Sequence, residues 1–261
     1  MNPRNVANAV QSTLGLLDKL GGKVPADTRK SLDEGIEHAR AVIEWRPTDD
    51  GDAAELAYAA LADGRDPSTD KDVQKAVLAR QIIEMQPDVN RRAGEHLAEQ
   101  VRDHLEAIVA GLDGAYQQHV ASPLTEVHEV LTPKGIADPD TDPTVVLSQG
   151  PDAAAAWASM ASAVELHARL SNAYFGLCGA IGVNVNTDKV FTWLEPADAD
   201  LAKVRSLRSN PHPMKVIDAG MKLGLTTPSG AGERMKRAVS NTPPPAETGH
   251  PMAFRRVGVT R

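Results

Sequence analysis

Residues 97–115, which read LAEQVRDHLEAIVAGLDGA, decide the fold of this chain. Apolar positions recur there at steps of three and four, and the spacing extends to His119. They are Leu97, Val101, Leu105, Ile108, Leu112, Ala115 and His119. Such a pattern places an apolar seam on one face of an α-helix. Because the seam lasts for about three heptads, it predicts a long helix of the coiled-coil type, continuing with a kink past Pro123 to Leu131.

A second long helix is predicted on the C-terminal side of the first. It begins at Asp152, directly after Pro151, and ends at about Ile181. The segment between the two helices contains several prolines, which exclude a continuous helix: Pro133, Pro139 and Pro143. We therefore predict an antiparallel helical hairpin over residues 88–182, with an elaborated tip.

Residues 1–87 are expected to form an N-terminal region of short helices. The first helix has its apolar residues at Val6, Val10, Leu14 and Leu17, and it ends at Gly21-Gly22, which suit the backbone that follows a helix. Further helices are predicted at residues 32–43, at residues 52–63 and through Val73, Val77 and Ile83. The last of these is expected to end before Pro87, since proline disrupts a helix interior.

The C-terminal side is predicted to comprise a basic helical region, residues 183–241, and an extended Pro-rich tail, residues 242–261. Helices are expected near residues 198–209, 214–225 and 232–240. The segment 183–193 favours either a short β-hairpin that turns at Asn186 to Lys189 or a loop. Pro243, Pro244 and Pro245 make the tail unsuited to forming a core by itself.

Composition favours an all-α fold. Hydrophobic residues make up 41% of the chain, but there are only 3 Trp, 3 Tyr and 3 Phe, and the aromatic and branched residues that favour strands are therefore few. The single cysteine, Cys178, excludes an intrachain disulfide. No secretory signal is visible, and the longest apolar stretch, residues 173–185, is shorter than the roughly 20 residues a membrane span requires. We expect a reducing compartment, either the cytoplasm or a virion.

Acidic and basic residues are segregated along the chain. Residues 1–201 carry 17 Lys and Arg against 32 Asp and Glu, and residues 202–261 carry 11 against 3, which gives formal charges of −15 and +8. The cationic end is expected to bind an acidic protein surface, such as the N-terminal part of a second copy, or a nucleic acid. The candidate partner-binding residues are Lys203, Arg205, Arg208, Arg234, Lys236, Arg237, Arg255, Arg256 and Arg261.

No motif indicates catalysis or a cofactor. His96, Glu99 and Asp103 share one helical face and have metal-binding chemistry. However, a carboxylate-bridged di-metal bundle needs Glu-x-x-His pairs on two helices, so we interpret this cluster, together with Glu95 and His104, as a solvated face. Sequence signatures for nucleophiles and phosphate loops are absent. We predict no catalytic residue, no metal and no cofactor, and hence a protein that is not an enzyme.

Three glycines near the end of the second long helix leave two interpretations open. Gly176, Gly179 and Gly182 are spaced by three. They indicate either a tight helix–helix contact, within the chain or between subunits, or a fraying helix end.

An acidic helical body, a long hairpin and a basic, Pro-rich end together resemble bacteriophage assembly and virion structural proteins. In scaffolding proteins of that kind a basic C-terminal helical element grips the capsid subunit, and the matching stretch here is about Met214 to Ser240. The chain departs from the pattern by its further tail and its more apolar centre, which leaves a permanent particle component as an equal alternative. The resemblance implies a non-enzymatic protein that self-associates into an oligomer or a larger assembly. The alternatives are a nucleic-acid-binding accessory protein and a helical-bundle metalloenzyme around His96 and His104.

Overall fold

The computed structural model describes residues 1–47, 51–185, 189–207 and 211–242. The chain is mostly helical, as predicted, and the described residues include one two-stranded antiparallel sheet. The helices are α1 (Pro3–Leu20), α2 (Ala26–Glu44), α3 (Ala53–Ala62), α4 (Lys71–Asp103), α5 (Leu105–Tyr116), α6 (Ser122–Leu131), α7 (Pro143–Ser148), α8 (Pro151–Ala180), α9 (Leu201–Ser206), α10 (Pro213–Asp218) and α11 (Pro228–Ser240). The strands are β1 (Leu194–Glu195) and β2 (Lys222–Leu223).

Helix α1 forms where the apolar spacing predicts it. Asn2 caps its start by accepting a hydrogen bond from the backbone N–H of Arg4. Gly21, with a φ of 69°, ends it in the left-handed conformation that glycine adopts without strain. The four predicted apolar residues of α1 are all buried, and they pack with α2, α4 and α8 in the core.

Helix α4 does not end at Pro87, as the sequence predicts, but continues through it to Asp103. The prolyl φ is compatible with a helix, so the cost is one missing backbone hydrogen bond and some crowding in the preceding turn. The side chain of Gln86 donates a 3.0 Å hydrogen bond to the carbonyl oxygen of Trp45 and ties this point to the end of α2. The continuous helix follows from packing on both sides of the proline.

Beyond α4 the chain stays helical almost without interruption to Leu131. A short break at His104 separates α4 from α5, and a π-helical turn at Gln117–Ala121 joins α5 to α6. The apolar seam from Leu97 to Ala115 is buried throughout. His119, at its end, is half-buried, and its Nε2 donates a 2.9 Å hydrogen bond to the carbonyl oxygen of Leu20.

Helix α8 packs along α1, α5 and α6. Its glycines do not mediate a tight contact among the described residues, since a Cβ added at Gly176 or Gly179 would meet no atom within 4 Å. Gly182, with a φ of 70°, lies just past the helix end. Of the two interpretations of this glycine pattern, the helix end therefore fits the chain's own contacts.

The C-terminal residues form a small unit that packs against α5, α6 and the π-helical turn. Lys189–Thr192 form a 3-10 turn, and β1 pairs with β2, Leu194 opposite Leu223. The β-hairpin alternative for residues 183–193 is therefore wrong where it is described, because a 3-10 turn occupies its second strand. Its proposed turn falls largely on residues 186–188, outside the described residues.

Candidate interaction surfaces

Arg234, a predicted partner-binding residue, is a structural residue of the C-terminal unit. Its side chain is only 12% exposed, and Nη1 donates hydrogen bonds to the carbonyl oxygens of Gly224 (2.6 Å), Phe191 (3.3 Å) and Leu194 (3.4 Å). Burial lowers the pKa of the guanidinium. The residue therefore joins the 3-10 turn, β1 and the end of β2, and its guanidinium hydrogen-bonds to the chain's own carbonyl oxygens.

The two neighbouring cations of α11 are exposed but paired. Lys236 forms an ion pair with Glu233 at 2.7 Å, and Arg237 forms one with Glu195 at 2.9 Å. Glu195 also lies 4.0 Å from Arg234, so the structure brings Arg234 and Arg237 together around one carboxylate. Exposed ion pairs of this kind contribute little stability and leave both side chains reachable by a partner.

The remaining candidate residues divide into two groups. Lys203 and Arg205 are exposed on α9, and no hydrogen bond or ion pair of their side chains is found within the described part of the chain. Arg208, Arg255, Arg256 and Arg261 lie outside the described residues. Among the candidate residues that the structure describes, the unengaged cations are thus those of α9.

A cleft of about 590 Å³ separates α5 and α6 from the C-terminal unit. Asp113 at its wall accepts hydrogen bonds from the backbone N–H of Leu225 (2.7 Å) and from Gln117 (3.3 Å). Gln117 in turn donates to the carbonyl oxygen of Leu223 at 2.9 Å. These polar groups hold the C-terminal unit to the π-helical turn, so the cleft is lined by side chains that the fold already uses.

A buried polar cluster lies between α5, α8 and the C-terminal unit. The hydroxyl of Tyr116 and Nδ1 of His167 are 2.7 Å apart, and the His167 ring meets the Trp193 ring edge-on, with centroids 4.6 Å apart. Burial lowers the pKa of His167 to about 4 and raises that of Tyr116. Both groups are therefore neutral near pH 7, and the cluster joins three elements without presenting a reactive group to solvent.

Within the described residues the structure contains no group of three or more His, Cys, Asp or Glu side chains placed to hold a metal ion. His104 of the candidate metal cluster faces Thr28, with Nδ1 3.4 Å from the hydroxyl, whereas His96 is exposed. Cys178 is buried, and burial raises the pKa of its thiol, which makes it a poor nucleophile. Across the same residues, no helix is long and apolar enough to cross a bilayer.

The α3–α4 unit, residues 51–86, exposes apolar side chains to an unusual degree. Five of the eleven large apolar side chains left exposed among the described residues belong to it, namely Tyr58, Leu61, Val77, Leu78 and Met85. Only Ala60, Val73 and Ala76 of the unit are buried apolar residues. A groove of about 460 Å³ runs beside α4 and is lined by Pro67, Ser68, Val73, Gln74, Val77, Leu78 and Gln81. Clustered apolar exposure of this kind marks an interaction surface.

The apolar spacing predicts a helix through Val73, Val77 and Ile83 but does not indicate that one of its apolar faces is exposed. In the structure Val73 is buried whereas Val77 is 42% exposed. A signal was nevertheless present, because Leu78 and Met85 are seven residues apart and lie on a second apolar face of the same helix. The face with Val73 is covered by the chain's own residues, whereas the face with Leu78 and Met85 is left for a partner.

Comparison with known proteins gives no relative: no protein family, no curated protein and no solved structure matches the chain significantly.

Proposed function

We propose that this chain is a non-enzymatic structural or assembly protein, which acts by self-association and by docking of its basic C-terminal arm. The observation that carries the proposal is the apolar face of the α3–α4 unit, which the described residues leave uncovered. A partner that covers an exposed apolar face removes it from water, and this burial favours the complex.

The long helices provide the rigid body that such a role requires. Arg102 donates a hydrogen bond to the carbonyl oxygen of Ile181 at 3.2 Å, and Tyr116 meets His167. From the first pair to the second, the residue number rises from 102 to 116 on one side and falls from 181 to 167 on the other. This is the order expected of the antiparallel hairpin over residues 88–182. A chain that combines such a hairpin, an acidic body and a cationic C-terminal end suits a component of a large particle, such as a phage virion or its scaffold.

The segregation of charge supports docking through the C-terminal end. Arg234 is buried, and Lys236 and Arg237 are paired with carboxylates of their own unit. The candidate residues that remain for a partner are Lys203 and Arg205 of α9, together with Arg208 and the arginines of residues 243–261, which lie outside the described residues. We therefore assign the docking role to these residues rather than to α11.

Light scattering on the purified full chain at micromolar concentration tests this function. An oligomer is expected, because an exposed apolar face and opposite charges both favour association. A chain that stays monomeric at every concentration reached would contradict the proposal.

The two unengaged cations of α9 favour a second candidate, a nucleic-acid-binding accessory protein. Each phosphate contact by a Lys or Arg side chain would release counterions, so that affinity falls steeply as salt rises. Filter binding against salt tests this alternative. Lack of retention at low salt would dismiss it, and a loss of retention in Lys203→Glu would support it.

A further inference from the structure

We infer that the apolar groove of the α3–α4 unit is the binding site for the C-terminal tail, residues 243–261, of a second copy of this chain. The inference rests on the proposed function and names the two surfaces that would meet. One of them is described by the structure, and the chemistry of the other is given by its sequence.

The receptor surface is one continuous face of α4. At 100° per residue, Val77, Leu78, Gln81 and Met85 fall within about a 100° arc of the helix. Val73, about 40° from Val77 at the edge of this arc, and Ala76 beyond it are buried. Leu78 and Met85 are 57% and 54% exposed, so the outward face offers apolar area that the described residues do not cover.

The groove next to this face is suited to a peptide that brings both apolar and polar groups. Its floor includes the buried Val73, and its rim includes Gln74 and Gln81. Gln74 already donates a 2.7 Å hydrogen bond to the carbonyl oxygen of Ser68, which fixes one wall. The other rim amide, that of Gln81, is exposed and can hydrogen-bond to a peptide backbone.

Charge selects the tail over a second α3–α4 unit. Residues 51–86 contain seven acidic and four basic residues, a formal charge of −3 that comes from residues 51–66, since residues 67–86 contain three of each sign. Residues 243–261 contain one acidic and three basic residues, a formal charge of +2. Two α3–α4 units meeting face to face would bring like charges together, whereas the tail is attracted to this unit.

The tail also supplies apolar groups next to its charges. Four apolar residues lie on either side of Arg255 and Arg256 in the sequence: Met252 and Phe254 before them, and Val257 and Val259 after them. An aromatic anchor beside arginines is the composition that dominates binding energy at protein interfaces. Phe254 is the natural occupant of the groove beside Val77 and Leu78.

The length of the tail favours a second copy over the same chain. Gly94 lies against Met1 and Gly111 against Lys23, at the two ends of α1, so α4 and α5 run in nearly the same direction. Helical rise then places Leu78 at most about 50 Å from Asp113, near which the C-terminal unit is fixed by Leu225.

From Thr242, which is bonded to the start of α9, the twelve residues to Phe254 span at most about 43 Å. This reach is of the same order as the separation of Leu78 from the C-terminal unit, so binding to its own chain would leave the tail little slack. A second copy imposes no such limit.

Photo-crosslinking of the full chain tests the inference directly. Phe254 is replaced by benzoylphenylalanine, and ¹⁵N-labelled and unlabelled copies are mixed before irradiation and mass spectrometry. The expected crosslinks join the tail to residues 67–85, and they include mixed-isotope pairs. Crosslinks to another surface, or same-isotope pairs alone, would overturn the inference.

Substitutions in the full chain give a second, quantitative test. Leu78→Asp is expected to weaken self-association at least about tenfold, as loss of an apolar anchor does. The matched control, Leu147→Asp, changes a side chain that is 65% exposed on α7 and should have no effect. Equal effects of the two would contradict the site.

Charge reversal separates the tail from contact between two α3–α4 units. Arg255→Glu with Arg256→Glu should weaken association as strongly as Leu78→Asp, and an unchanged oligomer would assign the groove to another occupant. If the chain associates but none of these variants matters, the inference is wrong and the proposed function stands. A wild-type chain that is always monomeric contradicts the proposed function itself.

Discussion

Arg234 donates a 2.6 Å hydrogen bond to the carbonyl oxygen of Gly224, at the end of the strand that pairs with β1. The most buried cation among the described residues of the basic region thus hydrogen-bonds to the chain's own backbone. The charge excess of residues 202–261 is consequently divided. Part of it stabilises the C-terminal unit, part is exposed on α9, and part belongs to residues 243–261, which lie outside the described residues.

Arg234→Ala should destabilise the protein by about 2–4 kcal/mol, because it leaves buried carbonyl oxygens without a donor. Lys236→Ala, two residues away, removes only an exposed ion pair and should change the free energy of unfolding by less than about 0.5 kcal/mol. Urea denaturation followed by circular dichroism measures both. Similar losses in the two variants would show that Arg234 is not the structural residue described here.

His167 should make stability depend on pH. Burial lowers its pKa to about 4 in the folded chain, whereas an unfolded histidine titrates near 6.5. Between these values the unfolded state binds the extra proton, so stability is full above about pH 6.5 and is lost as the pH falls toward 4, by up to about 3 kcal/mol.

His167→Asn retains a polar partner for the Tyr116 hydroxyl but does not titrate, so its stability should vary less with pH between 4 and 6.5. His212, whose pKa is also lowered by burial, adds a slope of the same sign that this variant retains. Tyr58→Phe, which changes an exposed side chain on α3, is the control and should keep the full pH dependence. Denaturant midpoints measured at several pH values test this prediction. If the midpoints of wild type and His167→Asn change in parallel with pH, His167 is not the source of the pH dependence.

Two glycine-to-alanine substitutions should have opposite effects. A Cβ at Gly111 would lie 2.8 Å from the carbonyl oxygen of Lys23, a backbone atom that cannot rotate away, so we expect a loss of about 1–3 kcal/mol. A Cβ at Gly176 meets open space, so Gly176→Ala should stabilise α8 by about 0.5–1 kcal/mol. Thermal unfolding gives both signs in one experiment, and a destabilised Gly176→Ala would indicate a neighbour at that face.

Local apolar spacing accounts for the helices that the sequence predicts well. The seam from Leu97 to Ala115 is buried throughout, and so are the four predicted residues of α1. Periodicity of this kind depends on one helix and one core, and a single sequence contains that information. The break predicted at Pro87 was wrong because packing on both sides of the proline offsets one lost hydrogen bond, a tertiary effect that local rules do not include.

The roles of the charged residues were harder to predict than the helices. Arg234, Lys236 and Arg237 lie together in the sequence, but only Arg234 points at carbonyl oxygens of residues 191, 194 and 224. Those acceptors are brought to it by chain segments up to 43 residues away, and nothing in the local pattern specifies their positions. The exposed face at Leu78 was missed for a related reason, since spacing shows that a residue is on an apolar face but not whether a partner covers it.

Sedimentation equilibrium of the full chain at increasing salt tests the central claim most directly. Raising the ionic strength from about 0.01 M to about 1 M shortens the Debye length from about 30 Å to about 3 Å, which screens attraction between exposed charges. An oligomer is expected at low salt, with a mass that falls toward that of the monomer as salt rises. A monomer under all conditions would contradict self-association, and an oligomer whose mass is indifferent to salt would contradict docking of the cationic end.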